Sequence, residues 1–148
     1  MVTQYFHPNI KGRPLLYYEP DFKQPLDLFA GYLTQTGLVI IVTRSYAVQN
    51  KIIPGAIVTP ARRSNHLVAG AFDCNIKDKA GKLWTSKELE SPGGDVLELI
   101  TLVRDGGIWR WGGDFNTPDG VHFDTGLNIK NPGRWLEIFN ELHPGEIA

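Results

Sequence analysis

The sequence predicts an α+β fold in which a small antiparallel sheet is flanked by helices. Two observations lead to this prediction. Long segments with apolar residues at helical spacing lie near both ends and in the middle of the chain. The short β-branched segments between them are separated mostly by loops and turns. That order is typical of an antiparallel sheet with helices packed on it, rather than of a doubly wound parallel sheet.

Three helices are predicted from apolar stripes and end signals. Asp21–Thr36 carries apolar residues on one face and is followed by Gly37, a common residue after a helix end. Asp95–Arg104 has a similar stripe and is followed by two glycines. Pro132–Leu142 begins after Asn131, a good cap for a helix whose first residue is proline.

Four strands and one turn are predicted between the helices. Leu38–Thr43 is the clearest strand, since it is β-branched, and we expect burial on both of its faces. Ala71–Ile76 is the second strand, and Lys77–Trp84 after it reads as a loop or hairpin turn around a glycine. Two short strands, Ile108–Trp111 and Val121–Thr125, flank a glycine-rich loop.

Two further expectations concern less regular parts of the chain. Residues 1–20 contain three spaced prolines and are expected to be irregular. Ala47–Ile53 is expected to form a short helix that stops at the following Pro-Gly pair.

The length and composition favour a single globular domain spanning residues 1–148. The chain has 148 residues, is 42% hydrophobic and has no internal repeat or linker-like segment. Its formal net charge is -1, with no long run of one sign, which argues against binding to nucleic acid or to an anionic membrane. The single cysteine, Cys74, excludes an intramolecular disulfide and a thiol-rich zinc site, so a metal would need histidine and carboxylate ligands.

No segment reads as a targeting or membrane-spanning element. Met1–Lys11 lacks a basic region followed by an apolar run, and the longest apolar stretch, Leu38–Val42, is far too short to span a bilayer. We therefore expect synthesis in the cytoplasm, and delivery by another system if the protein acts outside the cell.

The segment from Ser64 to Asp73 is the first candidate for chemistry. His66 and Asp73 are seven residues apart, and small residues between them let the backbone turn and enter a strand. A neutral imidazole and a carboxylate are suitable zinc ligands. A single histidine is more often structural, however, and Asp73 would equally serve to cap a turn.

The segment from Trp111 to Phe123 is the second candidate. Asp119 and His122 are three residues apart, which would let one bind a metal while the other faces the remaining coordination position. Asp114, in the same glycine-rich loop, is either a partner that orients a ligating imidazole or a structural residue that accepts from backbone amides. The two remaining histidines, His7 and His143, lie near the chain ends beside prolines and are interpreted as structural.

Together these segments resemble the metal signature of the D-alanyl-D-alanine carboxypeptidase and L-alanyl-D-glutamate endopeptidase family. The family pattern is Ser-x-His-x-x-Gly-x-Ala-x-Asp, followed later by Glu or Asp-x-x-His. The matching residues in this chain are Ser64, His66, Ala71, Asp73, Asp119 and His122. Three further stretches are also similar to the family: Thr43–Ser45 with Gln49, 57–61, and Trp111–Asp114.

Two departures from the family pattern are visible. Ala69 stands where the family usually has glycine, which puts the geometry of the loop in doubt but removes no ligand. The acid of the second part is Asp119 rather than glutamate, which is similar to phage-type endopeptidases.

The resemblance implies a fold of the Hedgehog and D,D-peptidase type and a site with one Zn²⁺ held by His66, Asp73 and His122. It implies that Asp119 is the general base, and that Arg44 stabilises an oxyanion or a substrate carboxylate. Ser64 and Gln49 would bind substrate, with positioning of the His66 loop as the alternative role of Ser64.

The implied function is hydrolysis of peptidoglycan stem or cross-link peptides by a zinc peptidase, of the L-alanyl-D-glutamate endopeptidase type. Two alternatives stay open: a D,D-carboxypeptidase or dipeptidase of the same family, and a zinc-containing binding module, such as a phage structural protein, without catalysis. The implied partner is the wall peptide. A phage lysin released by a holin and an effector carried by a secretion machine both fit the missing signal peptide.

Overall fold

The computed structural model of the protein describes residues 1–48 and 63–148. Most of the helix predicted over Ala47–Ile53 therefore lies outside the described residues, because only Ala47 and Val48 are described. Gln49 lies entirely outside them. Within the described part, no helix is both long and apolar enough to cross a membrane.

Most strands of residues 1–48 and 63–148 belong to one mixed sheet, which has six strands in this part of the chain. Its order is β2-β4-β5-β8-β7, with β6 paired to β5, and β1 and β3 form a separate antiparallel pair. The strands are β1 Val2–Tyr5, β2 Ile10–Gly12, β3 Leu15–Tyr18, β4 Val39–Arg44, β5 Ala71–Lys77, β6 Leu83–Trp84, β7 Arg110–Trp111 and β8 His122–Asp124.

Four helices accompany the sheet in the described part of the chain, and the prediction of an α+β fold is confirmed. Two of them, α1 and α2, pack against each other. A short helix, α3, precedes the C-terminal helix α4. The helices are α1 Lys23–Thr36, α2 Gly94–Gly106, α3 Leu127–Lys130 and α4 Pro132–Leu142.

The predictions for the strands need three corrections. The sheet is not wholly antiparallel, because β2 runs parallel to β4 with Ile10 opposite Ile40. The first 20 residues are not irregular, since they contain β1, β2 and β3. Strand β4 also differs from the prediction of burial on both faces: Ile40 and Val42 are buried, whereas Thr43 on the other face is exposed.

Aromatic rings fill the core between α1 and the sheet. Phe29 on α1 makes edge contacts with Phe72 on β5 and with Phe123 on β8, each with ring centroids 5.1 Å apart. Trp109 packs against Phe29 and Phe72, with centroids 5.4 Å away from each. This aromatic layer fixes which face of β5 and β8 points into the core.

Candidate metal centre

Two of the predicted ligands lie side by side because of strand register. In the antiparallel pair β5–β8, Phe72 is opposite Phe123 and Asp73 is opposite His122. Successive side chains of a strand point to opposite faces. With the two phenylalanines buried in the core, Asp73 and His122 share the other face, where Asp73 Oδ1 lies 3.0 Å from His122 Nδ1.

The third ligand is carried by a tight turn outside the sheet. His66 lies in the His66 turn (Asn65–Val68), a single turn of 3-10 helix, and the Ser64 hydroxyl accepts its backbone N–H at 3.2 Å. Ala69 ends the turn in the left-handed conformation with φ of 53°. The chain then enters β5, which places His66 Nε2 3.2 Å from Asp73 Oδ1.

Hydrogen bonds to the far nitrogen of each ring set which nitrogen faces the site. The Nδ1–H of His66 donates to the carbonyl of Ser45 at 2.7 Å. The Nε2–H of His122 donates to a carboxylate oxygen of Asp124 at 2.6 Å. These bonds leave His66 Nε2 and His122 Nδ1 directed at Asp73, where each nitrogen would donate a proton to the carboxylate without metal and would offer a lone pair to a cation once that proton has left.

The hydrogen bonds of the site shift the pKa values of its acidic and basic groups and favour their charged forms. Burial works to raise the pKa of Asp73, but the hydrogen bonds from His122 and His66 outweigh it and hold that pKa well below its usual range. Burial works to lower the pKa of His122, yet the bonds to Asp124 and Asp73 raise it to about 9. The pKa of Asp124 is also lowered, since its bonds with His122 and Arg110 exceed the effect of burial.

The three residues fit a metal ion by their chemistry. His66, Asp73 and His122 each offer one ligand atom, and these atoms lie within 4.8 Å of one another. Two imidazole nitrogens and one carboxylate leave a fourth tetrahedral position open, which is the donor set of a catalytic zinc site. Because two lone-pair nitrogens and a carboxylate converge, a cation or a proton must lie among them to offset their repulsion.

Asp119 stands beside this cluster in a tight turn. Its backbone N–H donates to the Gly112 carbonyl at 2.8 Å, and its own carbonyl accepts the His122 N–H at 3.1 Å. A side chain on Gly112 would collide with the Asp119 carbonyl, so the close approach depends on that glycine. Burial and the negative charge of Asp73 raise the pKa of Asp119, against the opposing charges of His122, His66 and Arg44.

Arg44 reaches the same region from β4. It is opposite Asp73 across the β4–β5 pair, just beyond an irregularity in the register after Val42. Its Nε and Nη2 are buried, and among the described residues they have no hydrogen-bond partner. A half-buried guanidinium with donors unused is a group prepared to bind a negative charge.

One prediction about the supporting residues needs correction. Asp114 does not orient an imidazole: its carboxylate is exposed and accepts two bonds from Arg104, at 2.9 and 2.7 Å. Asp124 orients His122 instead. Ser64 is buried and its hydroxyl caps the His66 turn, while its role in binding substrate stays a prediction.

Asp124 was not found from the sequence, although a signal for it exists. It lies two residues after His122 on the same strand, so alternation puts both side chains on one face of β8. Arg110 on β7 holds the Asp124 carboxylate with two bonds of 2.8 and 3.0 Å. A carboxylate two residues away from a candidate histidine ligand on the same strand should therefore be considered as the hydrogen-bond partner of that histidine.

The family model described as D-alanyl-D-alanine carboxypeptidase matches residues 58–125. The resemblance to this peptidase family is confirmed. The match covers just under half of the chain and contains His66, Asp73, Asp119 and His122. Arg44 precedes the part matched by the family, and α3 and α4 follow it.

Comparisons with curated proteins and with solved structures give weaker results. No curated protein matches the chain. Among solved structures, the chain is similar to the crystal structure of the Serratia marcescens L-Ala D-Glu endopeptidase ChiX, with 20% sequence identity and a TM-score of 0.45. That similarity covers 74% of this chain and 81% of ChiX.

Proposed function

We propose that the protein is a zinc-dependent peptidoglycan peptidase of the L-alanyl-D-glutamate endopeptidase type, which hydrolyses stem or cross-link peptides of the bacterial wall. The observation that supports this most strongly is the convergence of His66 Nε2, Asp73 and His122 Nδ1 next to Asp119. The match to a peptidase family over the same residues supports it independently.

The proposed ligands are His66, Asp73 and His122, each already held in place by a second contact. When bound, zinc supplies Lewis-acid chemistry and lowers the pKa of water to about 7. The bonds of His66 to Ser45 and of His122 to Asp124 keep both rings in the orientation that such a metal requires.

Asp119 is the proposed general base. It would take a proton from the attacking water and pass it to the leaving amine. In the metal-free chain, burial raises the pKa of Asp119. A bound cation would lower that pKa, so Asp119 would be an ionised carboxylate that can accept the proton.

Arg44 is the proposed group that binds negative charge. Its buried Nε and Nη2 have no partner among the described residues, so binding an oxyanion or a substrate carboxylate would satisfy them. A planar guanidinium suits a carboxylate because two parallel N–H groups match its two oxygens.

A second candidate function is a D,D-carboxypeptidase activity on the same wall peptides. The description of the matching family favours it. The two reactions need the same metal site and base and differ in which peptide bond lies over them, so the products distinguish them.

Digestion of purified peptidoglycan tests the proposal. Zinc-loaded wild type would be compared with Asp119→Asn, with the released fragments identified by mass spectrometry. Because the base is lost, we expect Asp119→Asn to release fragments about 100-fold more slowly, or slower still, while it binds one zinc. The matched control is Asp105→Asn, an exposed aspartate on α2, which should keep wild-type activity.

The fragments then decide between the candidates. New amino termini on D-glutamate indicate the endopeptidase, and release of free D-alanine indicates the carboxypeptidase. If wild type binds zinc but releases nothing from any wall type, the peptidase proposal fails and a non-catalytic zinc module replaces it.

A further inference from the structure

The His66 turn is held from behind by the C-terminal part of the chain. Three side chains from α3, from α4 and from the residue after α4 donate hydrogen bonds to backbone carbonyls of the turn and the residues before it. These bonds are Asn128 Nδ2 to Arg63 O at 3.0 Å, Trp135 Nε1 to Ser64 O at 3.3 Å and His143 Nε2 to Leu67 O at 2.6 Å. All three donors lie beyond the segment matched by the peptidase family.

Asn128 makes the closest connection to the ligand His66. Its backbone N–H donates to Asn65 Oδ1 at 3.0 Å, and its Oδ1 accepts from Asn65 Nδ2 at 3.0 Å. Asn65 is 2% exposed and directly precedes His66. This reciprocal pair therefore fixes the residue that carries the His66 backbone.

Asn128 also reaches the residues behind the other histidine. Arg110 Nη2, which holds Asp124 at 3.0 Å, makes a longer contact of 3.5 Å with Asn128 Oδ1. Asp124 in turn accepts from His122. Asn128 Oδ1 is thus the point at which the supports of His66 and His122 meet.

The fold explains why such a junction is needed. Strand register places Asp73 beside His122, but His66 lies in a turn outside the sheet, so register does not set its distance from His122. Metal affinity depends on ligand positions that are held by the residues behind them. Contacts between the His66 turn and α3 supply this restraint.

We propose that Asn128 is a positioning residue of the metal site, which sets the separation of His66 from His122 through Asn65 and Arg110. The inference rests on the proposed metal site but not on the identity of the substrate. It assigns a role to α3, which follows the family-matched segment, and it is tested by metal binding without any peptidase assay.

The test is zinc affinity of the full chain, measured by competition with a chromophoric chelator, for wild type and Asn128→Ala. Loss of the side-chain contacts with Asn65, Arg63 and Arg110 should weaken zinc binding by about 10- to 100-fold. The Co²⁺-substituted protein should also show altered ligand-field absorption, because His66 moves relative to His122. The control is Asn140→Ala, an exposed asparagine on α4, which should bind zinc as wild type does.

Asn128→Asp keeps the proposal testable if the alanine variant does not fold. It retains the oxygen that accepts from Asn65 and Arg110 but loses the Nδ2 donor to Arg63 O, which precedes the turn. We therefore expect zinc affinity within about fivefold of wild type and an unchanged Co²⁺ spectrum. The inference is overturned if Asn128→Ala has the zinc affinity and the Co²⁺ spectrum of wild type. It is also overturned if Asn128→Asp binds zinc as weakly as expected for Asn128→Ala, about 10- to 100-fold below wild type. Failure of wild type to bind zinc would instead overturn the metal site itself, so the two failures are distinguishable.

Discussion

At the scale of single residues, Arg44 makes the sharpest prediction. The buried Nε and Nη2 of Arg44 have no hydrogen-bond partner within residues 1–48 and 63–148, so hydrogen bonds from that part of the chain do not offset the cost of desolvating its charge. Arg44→Gln should therefore leave the free energy of unfolding unchanged or raise it. The same change should lower kcat/KM by roughly 100-fold, because a group that binds developing negative charge is lost. Denaturant unfolding of the metal-free protein and kinetics of the zinc form measure both effects.

Arg13→Gln is the control for Arg44, because Arg13 is an exposed arginine whose loss should change neither quantity. If Arg44→Gln lost more than about 1 kcal/mol of unfolding free energy, the protein itself would pair with this guanidinium, and its proposed role in binding substrate charge would be wrong.

Asp114 and Asp124 show that sequence spacing alone does not identify the carboxylate that holds the His122 ring. Both aspartates are near His122 in sequence, and a glycine-rich loop made Asp114 the more conspicuous. Its actual partner, Arg104, lies ten residues earlier on α2, and sequence spacing does not show that the chain returns there. The proposed ligands His66, Asp73 and His122 could be named from the sequence because their spacing resembles a family pattern.

At the scale of elements, the segments that pack on one face were predicted well. The helices α1, α2 and α4 have apolar stripes, and each lies within two residues of its predicted bounds at either end. Strands β1, β2 and β3 were missed because they are only three or four residues long and prolines stand between them. The parallel pairing of β2 with β4 was not predictable, since it joins segments about 30 residues apart without a pattern of its own.

Helix α1 contains one residue that works against it. Gly31 is exposed in the middle of the helix, and an added Cβ would meet no atom within 4 Å. Glycine in a helix interior costs about 0.5–1 kcal/mol relative to alanine, so Gly31→Ala should raise the free energy of unfolding by that amount. Denaturant titration of both proteins measures the difference.

The matched comparison is Gly106→Ala at the end of α2. There an added Cβ would collide with the Tyr32 hydroxyl, so no gain is expected. Equal effects of the two substitutions would show that helix propensity does not limit the stability of α1.

At the scale of the whole molecule, an ion pair joins the N-terminal and C-terminal parts. Arg134 on α4 donates to both oxygens of Asp21, at 2.9 and 2.8 Å, just before α1. The hydrogen bond from Arg134 lowers the pKa of Asp21, although burial opposes it. A lowered folded-state pKa gives stability that is present above about pH 4 and is lost as the pH falls through the folded-state value.

Asp21→Asn should therefore remove about 1–2 kcal/mol of unfolding free energy at pH 7, and less as the pH falls below about 4. Urea unfolding at several pH values measures this dependence. Glu137→Gln, which removes the exposed second partner of Arg134, should cost under about 1 kcal/mol. A loss in Asp21→Asn that is the same in acid as at neutral pH would show that the ion pair is not its source.

The whole molecule also shows why the candidate site was only partly predictable. The proposed ligands, the proposed base and Arg44 were chosen from local patterns and family resemblance. The support of the His66 turn by Asn128, Trp135 and His143 depends on how α3 and α4 return to that turn, more than 60 residues later in the chain. His143 was correctly interpreted as structural, but its contact with Leu67 required the fold.

The most direct test of the proposed metal centre is an X-ray structure of the protein crystallised with zinc, with an anomalous difference map at the zinc edge. We predict one strong peak about 2.0–2.2 Å from His66 Nε2, His122 Nδ1 and a carboxylate oxygen of Asp73. Asp124 should remain bonded to His122 Nε2 in that structure. A zinc peak at another site, or no peak among these three side chains at saturating zinc, would contradict the assignment of His66, Asp73 and His122 as metal ligands.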